Sequence, residues 1–291
     1  MYFKVFKYLL ILSNNPYKGG FFRFIMVKRV ESASSINTFF QCHRKYYYQY
    51  IEKLPTKASI HTVRGNIAHS CLEYFYALDV SSFQNYEKDF KVALQKIFLE
   101  QWGVYRGELY ALQLPQKEIE GYFEETLAML LHWCTHFLRE FKEHFLGSIS
   151  ETFQNMKPQT EVEYSSEKLS VRGFIYAIRQ EGEEVHIIDY KTNSTSEIKD
   201  SIKLQLGIYS LLYEDKHQKL PDKVGIFFLK DRLYLLPVDQ ELIQKAKDAI
   251  FIVHAQTDRT EKKEDYPRHV SPLCKWKTGQ CDFFEICRPY S

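Results

Sequence analysis

Apolar positions recur with two different periods along this chain of 291 residues, a helical period up to about residue 157 and an alternating one beyond it. Residues 32–50, SASSINTFFQCHRKYYYQY, put Ile36, Phe39, Phe40 and Tyr47 on one face behind Ser34 or Ser35 as an N-cap, which predicts a helix carrying Cys42. Residues 62–78 repeat the helical spacing, with Ile67, Cys71, Leu72 and Phe75 as the buried stripe and His69 and Glu73, four apart, on another face. Long, aromatic-rich amphipathic stretches at 84–107 and 116–147 predict a helical insertion over about 80–157. After Pro158 the pattern changes. Short β-type segments at 159–164, 168–178 and 184–191, the last two joined by a turn at Glu181-Gly182, predict an antiparallel meander. A helix over 201–214, strands at 223–229 and 232–237 and a helix over 239–255 complete an α/β fold, a mixed central sheet flanked by helices, with its core at about 158–257. The tail over 265–291 is rich in Pro, Cys and aromatics without periodicity, so something other than secondary structure must hold it.

Composition changes this picture little. With 45% apolar and 26% charged side chains the chain reads as an ordinary globular protein of one large domain. A formal charge of +2, from 39 basic and 37 acidic residues, excludes a global field for nucleic acid, so any basic track must be local. Six cysteines without a credible secretory signal read as reduced thiols or metal ligands, which predicts a reducing, cytoplasmic compartment. The apolar run at residues 8–12 is too short to cross a bilayer, so no membrane role is expected. Met26 then begins the folded body, residues 1–26 being an N-terminal extension to one domain over 27–291.

Candidate chemistry concentrates at His186-Ile187-Ile188-Asp189-Tyr190-Lys191, the end of an apolar strand, where alternation puts Asp189 and Lys191 on one face. Such a pair suits phosphodiester hydrolysis: the carboxylate holds a divalent metal of the Mg²⁺ type, and the ammonium orients water and steadies developing negative charge. An isolated D-x-K is more often a surface ion pair, and its neighbours give it meaning. Fourteen residues on, Gln205 and Tyr209 sit four apart on the next helix, able to project together toward that strand. Upstream, Arg64-Gly65-Asn66-Ile67-Ala68-His69 offers an imidazole as a metal ligand, although a lone helical histidine is more often structural.

In this order the motifs resemble the RecB-like, CRISPR-associated type of exonuclease within the PD-(D/E)XK superfamily, over most of residues 33–291. The resemblance rests on S-x-I-x-x-F-x-x-C-x-x-K-Y-Y-Y at 34–48, G-x-x-x-H ending at His69, G-F-I-x from Gly173, D-Y-K from Asp189, and Q-x-x-x-Y from Gln205. It implies a restriction-endonuclease-like core, Mg²⁺ or Mn²⁺ bound at His69 and Asp189, a catalytic Lys191, and Gln205 and Tyr209 lining the site. It implies DNA as partner, with single-stranded ends preferred, and protein partners in DNA repair, replication or CRISPR adaptation. Arg44, Lys45 and Tyr47 mix charge with aromatic rings as single-strand grooves do, although a helix packing its tyrosines inward has the same composition. The resemblance also groups Cys42 with Cys274, Cys281 and Cys287 as the four thiolates of a [4Fe–4S] cluster stapling the C-terminus to Cys42. Zinc is the rival, but gaps of six and five residues fit structural zinc sites poorly. Cys71 and Cys134, on apolar helical faces, read as core. One position departs: Tyr176 stands where the family places a metal-binding aspartate, and a neutral phenol is a poor Mg²⁺ ligand. Impaired or abolished activity follows as the expectation, with Glu163 as a candidate substitute oxygen. A non-catalytic DNA-binding or complex-assembly protein, or a metal scaffold without a DNA role, are the rival classes.

Overall fold

The computed structural model describes residues 29–193, 196–277 and 279–290; the extension 1–26, with its apolar run at 8–12 and the junction at Met26, lies outside the described residues. A five-stranded sheet runs in the order β1 (Gln159–Ser166), β2 (Val171–Glu181), β3 (Glu184–Lys191), β4 (Lys223–Phe228) and β5 (Leu233–Pro237). All neighbours are antiparallel except β3 and β4, which pair in parallel. That parallel step requires a crossover, and α8 (Asp200–His217) supplies it. β3 is buried at six consecutive positions, which is why Val185 to Tyr190 read as a nearly unbroken apolar run rather than an alternation. Gly182 makes the β2–β3 turn with a φ of 62° that a side chain would oppose.

Two cores sandwich the sheet. On one face pack α3 (Ile60–Tyr76), α4 (Tyr86–Val104), α6 (Gln116–Glu143) and α7 (Ile149–Met156), whose Phe75, Phe90, Trp133, Phe137 and Phe153 meet Ala177, Ile188, Tyr190 and Phe227 of the strands. Each of these rings contributes roughly 2–3 kcal/mol by leaving water. The short α5 (Arg106–Ala111) completes this helical layer. On the other face α1 (Ala33–Gln41), α8 and α9 (Gln240–Thr257) bury Ile36, Leu206, Leu211 and Ile250 against Ile175, Ile187 and Ile226.

The opening segment differs from its pattern. Ser32, not Ser34 or Ser35, caps α1: its hydroxyl accepts from the Ser35 amide at 3.1 Å while the Ser35 hydroxyl accepts from the Ser32 amide at 2.8 Å. The helix also stops at Cys42, which is extended (φ −166°, ψ 114°), and resumes as α2 (His43–Tyr46) and one π-helical turn over Tyr47–Ile51. Cys42 therefore sits at a break rather than within a helix. That break admits the tail: the Arg44 amide donates to the Pro267 carbonyl at 3.1 Å, Arg44 Nε donates to the Tyr266 carbonyl at 2.7 Å, and the buried Tyr266 ring packs on Tyr46 and Tyr47. The tail itself has a two-rung hairpin of β6 (Lys275–Trp276) and β7 (Gly279–Gln280), then α10 (Phe284–Cys287). Among the described residues no helix is long and apolar enough to cross a membrane.

Candidate active site

Asp189 is fully buried on β3, and its Oδ2 lies 2.7 Å from Lys191 Nζ. Lys191 donates to Gln205 Oε1 at 3.0 Å, and Gln205 Nε2 donates to the Tyr209 hydroxyl at 2.7 Å. Carboxylate, ammonium, amide and phenol thus form one polar line from β3 to α8, as their spacing predicts. Gly173 permits the close approach of α8 to β2, since a Cβ there would stand 3.2 Å from the Tyr209 ring. Burial first, and then the Asp189 charge, raise the Tyr209 phenol, which stays protonated.

His69 comes from α3. Burial holds its pKa below the ordinary value; Asp189 opposes that shift, Lys191 reinforces it, and a hydrogen bond to the Tyr190 backbone also opposes it. Its ring lies 3.9 Å from that of Tyr176, centroid to centroid, tilted by 33°. The Tyr176 phenol is itself raised, by burial and then by Asp189 and Glu161. The strand bends at this point. Ile175 packs into the α8-side core and Ala177 into the α3-side core, although residues two apart on a regular strand share a face. Across the pair, between the Thr160–Ala177 and Val162–Ile175 partners, Glu161 has a φ of 51°. Both strands therefore turn over at 161 and 176, the way bulges re-aim side chains beside active sites.

The consequence is a small cavity lined by His69, Glu73, Glu161 and Tyr176. Burial, then Glu73 and Asp189, raise the Glu161 carboxyl to about 7. Glu163, expected as a substitute oxygen, is instead exposed opposite Phe174. Sequence spacing noted Glu73 beside His69 but missed Glu161, because alternation gives no sign of a left-handed backbone in mid-strand.

The side chains as they stand do not fit a divalent ion. Tyr176 fills the space next to His69, Asp189 Oδ2 is engaged by Lys191, and among the described residues no three His, Cys, Asp or Glu side chains are gathered so that they could hold a metal. Among the described residues neither Asp189 carboxylate oxygen has a partner besides the Lys191 ammonium on Oδ2, so that ion pair carries the offset to its burial.

Cys42, Cys274, Cys281 and Cys287 line one cavity, beside Lys45 and His269. The His269 amide donates to Cys42 Sγ at 3.5 Å, and Cys274 Sγ donates to the His269 carbonyl at 3.7 Å. Burial raises the Cys281 and Cys287 thiols. In number and chemistry these four donors fit an iron–sulfur cluster, though they too are not drawn together around an ion. Cys71 and Cys134 are fully buried core residues, each raised to about 12 by burial. Lys45 Nζ donates to Gln41 at 2.9 Å on the surface. One network escaped the sequence reading: Glu125 of α6 bonds both Arg64 and Lys230, and Arg64 also donates to the Thr192 carbonyl at 3.2 Å, just past Lys191.

No curated protein matches the chain. A crystal structure of a "Putative exonuclease" from Eubacterium rectale superposes with a TM-score of 0.48 at 12% identity, covering 90% of this chain and 93% of that one. The family model of the PD-(D/E)XK nuclease superfamily matches residues 31–288, a span that takes in both the polar line of β3 and α8 and the cysteine tail; the chain belongs to the PD-(D/E)XK nuclease superfamily.

Proposed function

We propose that this protein binds DNA, with a preference for single-stranded ends, as a metal-dependent exonuclease whose hydrolysis is reduced to a weak level or to nothing by Tyr176. The contact of the Tyr176 ring with that of His69 supports this reading, because an aromatic ring takes the volume of a ligand carboxylate while the rest of the machinery stays joined. Superfamily members generally use Mg²⁺ or Mn²⁺. In this chain Lys191, aligned by Asp189 and Gln205, offers a fixed positive charge to a phosphoryl oxygen, the kind of preorganised stabilisation that acts in the transition state. The same ring favours a second reading, a nuclease-fold protein that binds DNA or assembles a complex without cutting.

A labelled single strand incubated with Mg²⁺ or Mn²⁺ separates these readings. The natural chain is expected to bind and hardly cut, and Tyr176→Asp to cut roughly a hundredfold faster. Equal cleavage by the two proteins removes Tyr176 from the ligand position, and binding without cleavage in Tyr176→Asp establishes the non-catalytic reading. For the tail we propose a [4Fe–4S] cluster on Cys42, Cys274, Cys281 and Cys287, with a structural role, in a reducing cytoplasm. Protein purified without oxygen is then brown with about four iron atoms, whereas a colourless protein carrying one zinc overturns this assignment. DNA contacts are proposed at Arg44, Lys45 and Tyr47.

A further inference from the structure

We propose that His132 and His136, one turn apart on α6, form a chelating site for a divalent transition-metal ion of the zinc, cobalt and nickel class, separate from the nuclease site. Their Nε2 atoms face each other at 3.2 Å. With metal–imidazole bonds of about 2.0–2.1 Å and tetrahedral angles, two nitrogens on one ion stand about 3.3 Å apart. The rings are therefore already at chelating separation, brought there by the i, i+4 spacing of the helix. His136 is fixed further, edge-on to Phe227 at 5.3 Å.

Both rings are half-buried, so an ion has access from solvent. In the metal-free protein one Nε2–H donates to the other Nε2, and an ion takes the place of that proton, which moves to Nδ1 of the same ring or to water. The Asp231 carboxylate is engaged by the Tyr234 hydroxyl at 2.6 Å, and among the described residues no third His, Cys, Asp or Glu completes the shell. The remaining coordination positions are thus open to water or to a donor from a partner. Imidazole pairs suit transition-metal ions such as zinc and nickel rather than Mg²⁺.

Titration calorimetry of the full chain with Ni²⁺ tests the site against His132→Gln and His136→Gln. In protein carrying the proposed tail cluster, which keeps the four cysteines from the added ion, one Ni²⁺ is expected to bind the natural chain, with affinity falling at least about tenfold in either variant. X-ray absorption at the nickel edge of the natural chain is expected to report two imidazoles, a readout that stands even if a variant misfolds. Identical titrations in all three proteins, or a nickel ion with one imidazole or none, overturn the proposal.

Discussion

Tyr176 and Glu161 face each other across β1 and β2 at the point where both strands turn over, and the pair sets the electrostatics of the cavity. With its carboxyl raised to about 7 from an ordinary 4.5, Glu161 fits the fold best when protonated. The stability it contributes is therefore complete below pH 4.5 and is lost as pH rises through 7. Glu161→Gln keeps the protonated shape at every pH. In buffer with EDTA, thermal melts are expected to coincide at pH 4, while at pH 8 the variant should gain roughly 1 kcal/mol, or about 2 °C, after allowance for solvent screening. Equal melts at pH 8 would place Glu161 in open solvent. Lys191 is tested on the Tyr176→Asp background, where Lys191→Ala is expected to slow cleavage by about 10²–10³ while anisotropy shows DNA affinity nearly unchanged. An equal loss of binding would make Lys191 a phosphate clamp.

At the scale of elements, most of the architecture was legible because burial writes periodicity into the chain. The five strands fall within a few residues of their alternating or continuous apolar segments, and α8 and α9 sit where the helical period places them. That the D-Y-K strand and the Q-x-x-x-Y helix bring their polar side chains together was readable for the same reason, since each spacing fixes a shared face. What escaped depends on contacts distant in sequence. The break at Cys42 is stabilised by tail residues more than 200 positions away, and Glu125 meets Arg64 and Lys230 across three elements. That clasp ties the helical layer to the end of the D-Y-K strand. The Arg64 side chain is only 6% exposed, so Glu125→Ala leaves its guanidinium with the Thr192 carbonyl and the face of the Tyr122 ring but without a counter-charge. Urea unfolding is expected to show a loss of about 1–2 kcal/mol, less than for a fully buried pair because the Glu125 side chain is 39% exposed. A loss under about 0.5 kcal/mol would class the clasp with ordinary surface ion pairs. Cys42→Ser gives the matching test of the other junction: hydrogen exchange should quicken over both 43–51 and 265–290, because both segments meet at this residue.

For the molecule as a whole, the net charge of +2 means that DNA affinity must come from a local track, and the salt dependence of binding counts the phosphates that track meets. The segment after Cys42 is the proposed track, but its two cations stand in different surroundings. Arg44 binds the Tyr266 carbonyl and so helps anchor the tail, whereas the Lys45 ammonium donates to Gln41 across the Cys42 break, at the rim of the cysteine cavity. Lys45→Ala is therefore expected to lower the slope of log affinity against log salt by about 0.7, the value of one single-strand phosphate, without changing the melting temperature. Arg44→Ala is expected to lower the melting temperature as well, since it releases Tyr266 from the ring packing with Tyr46 and Tyr47. Neither measurement requires a divalent ion, so both are made in EDTA, where the affinity of the natural chain should match that in Mg²⁺. A tenfold loss of affinity in EDTA would mean that an ion bridges DNA to the site despite Tyr176, and an unchanged salt slope in Lys45→Ala would move the track away from the Cys42 break.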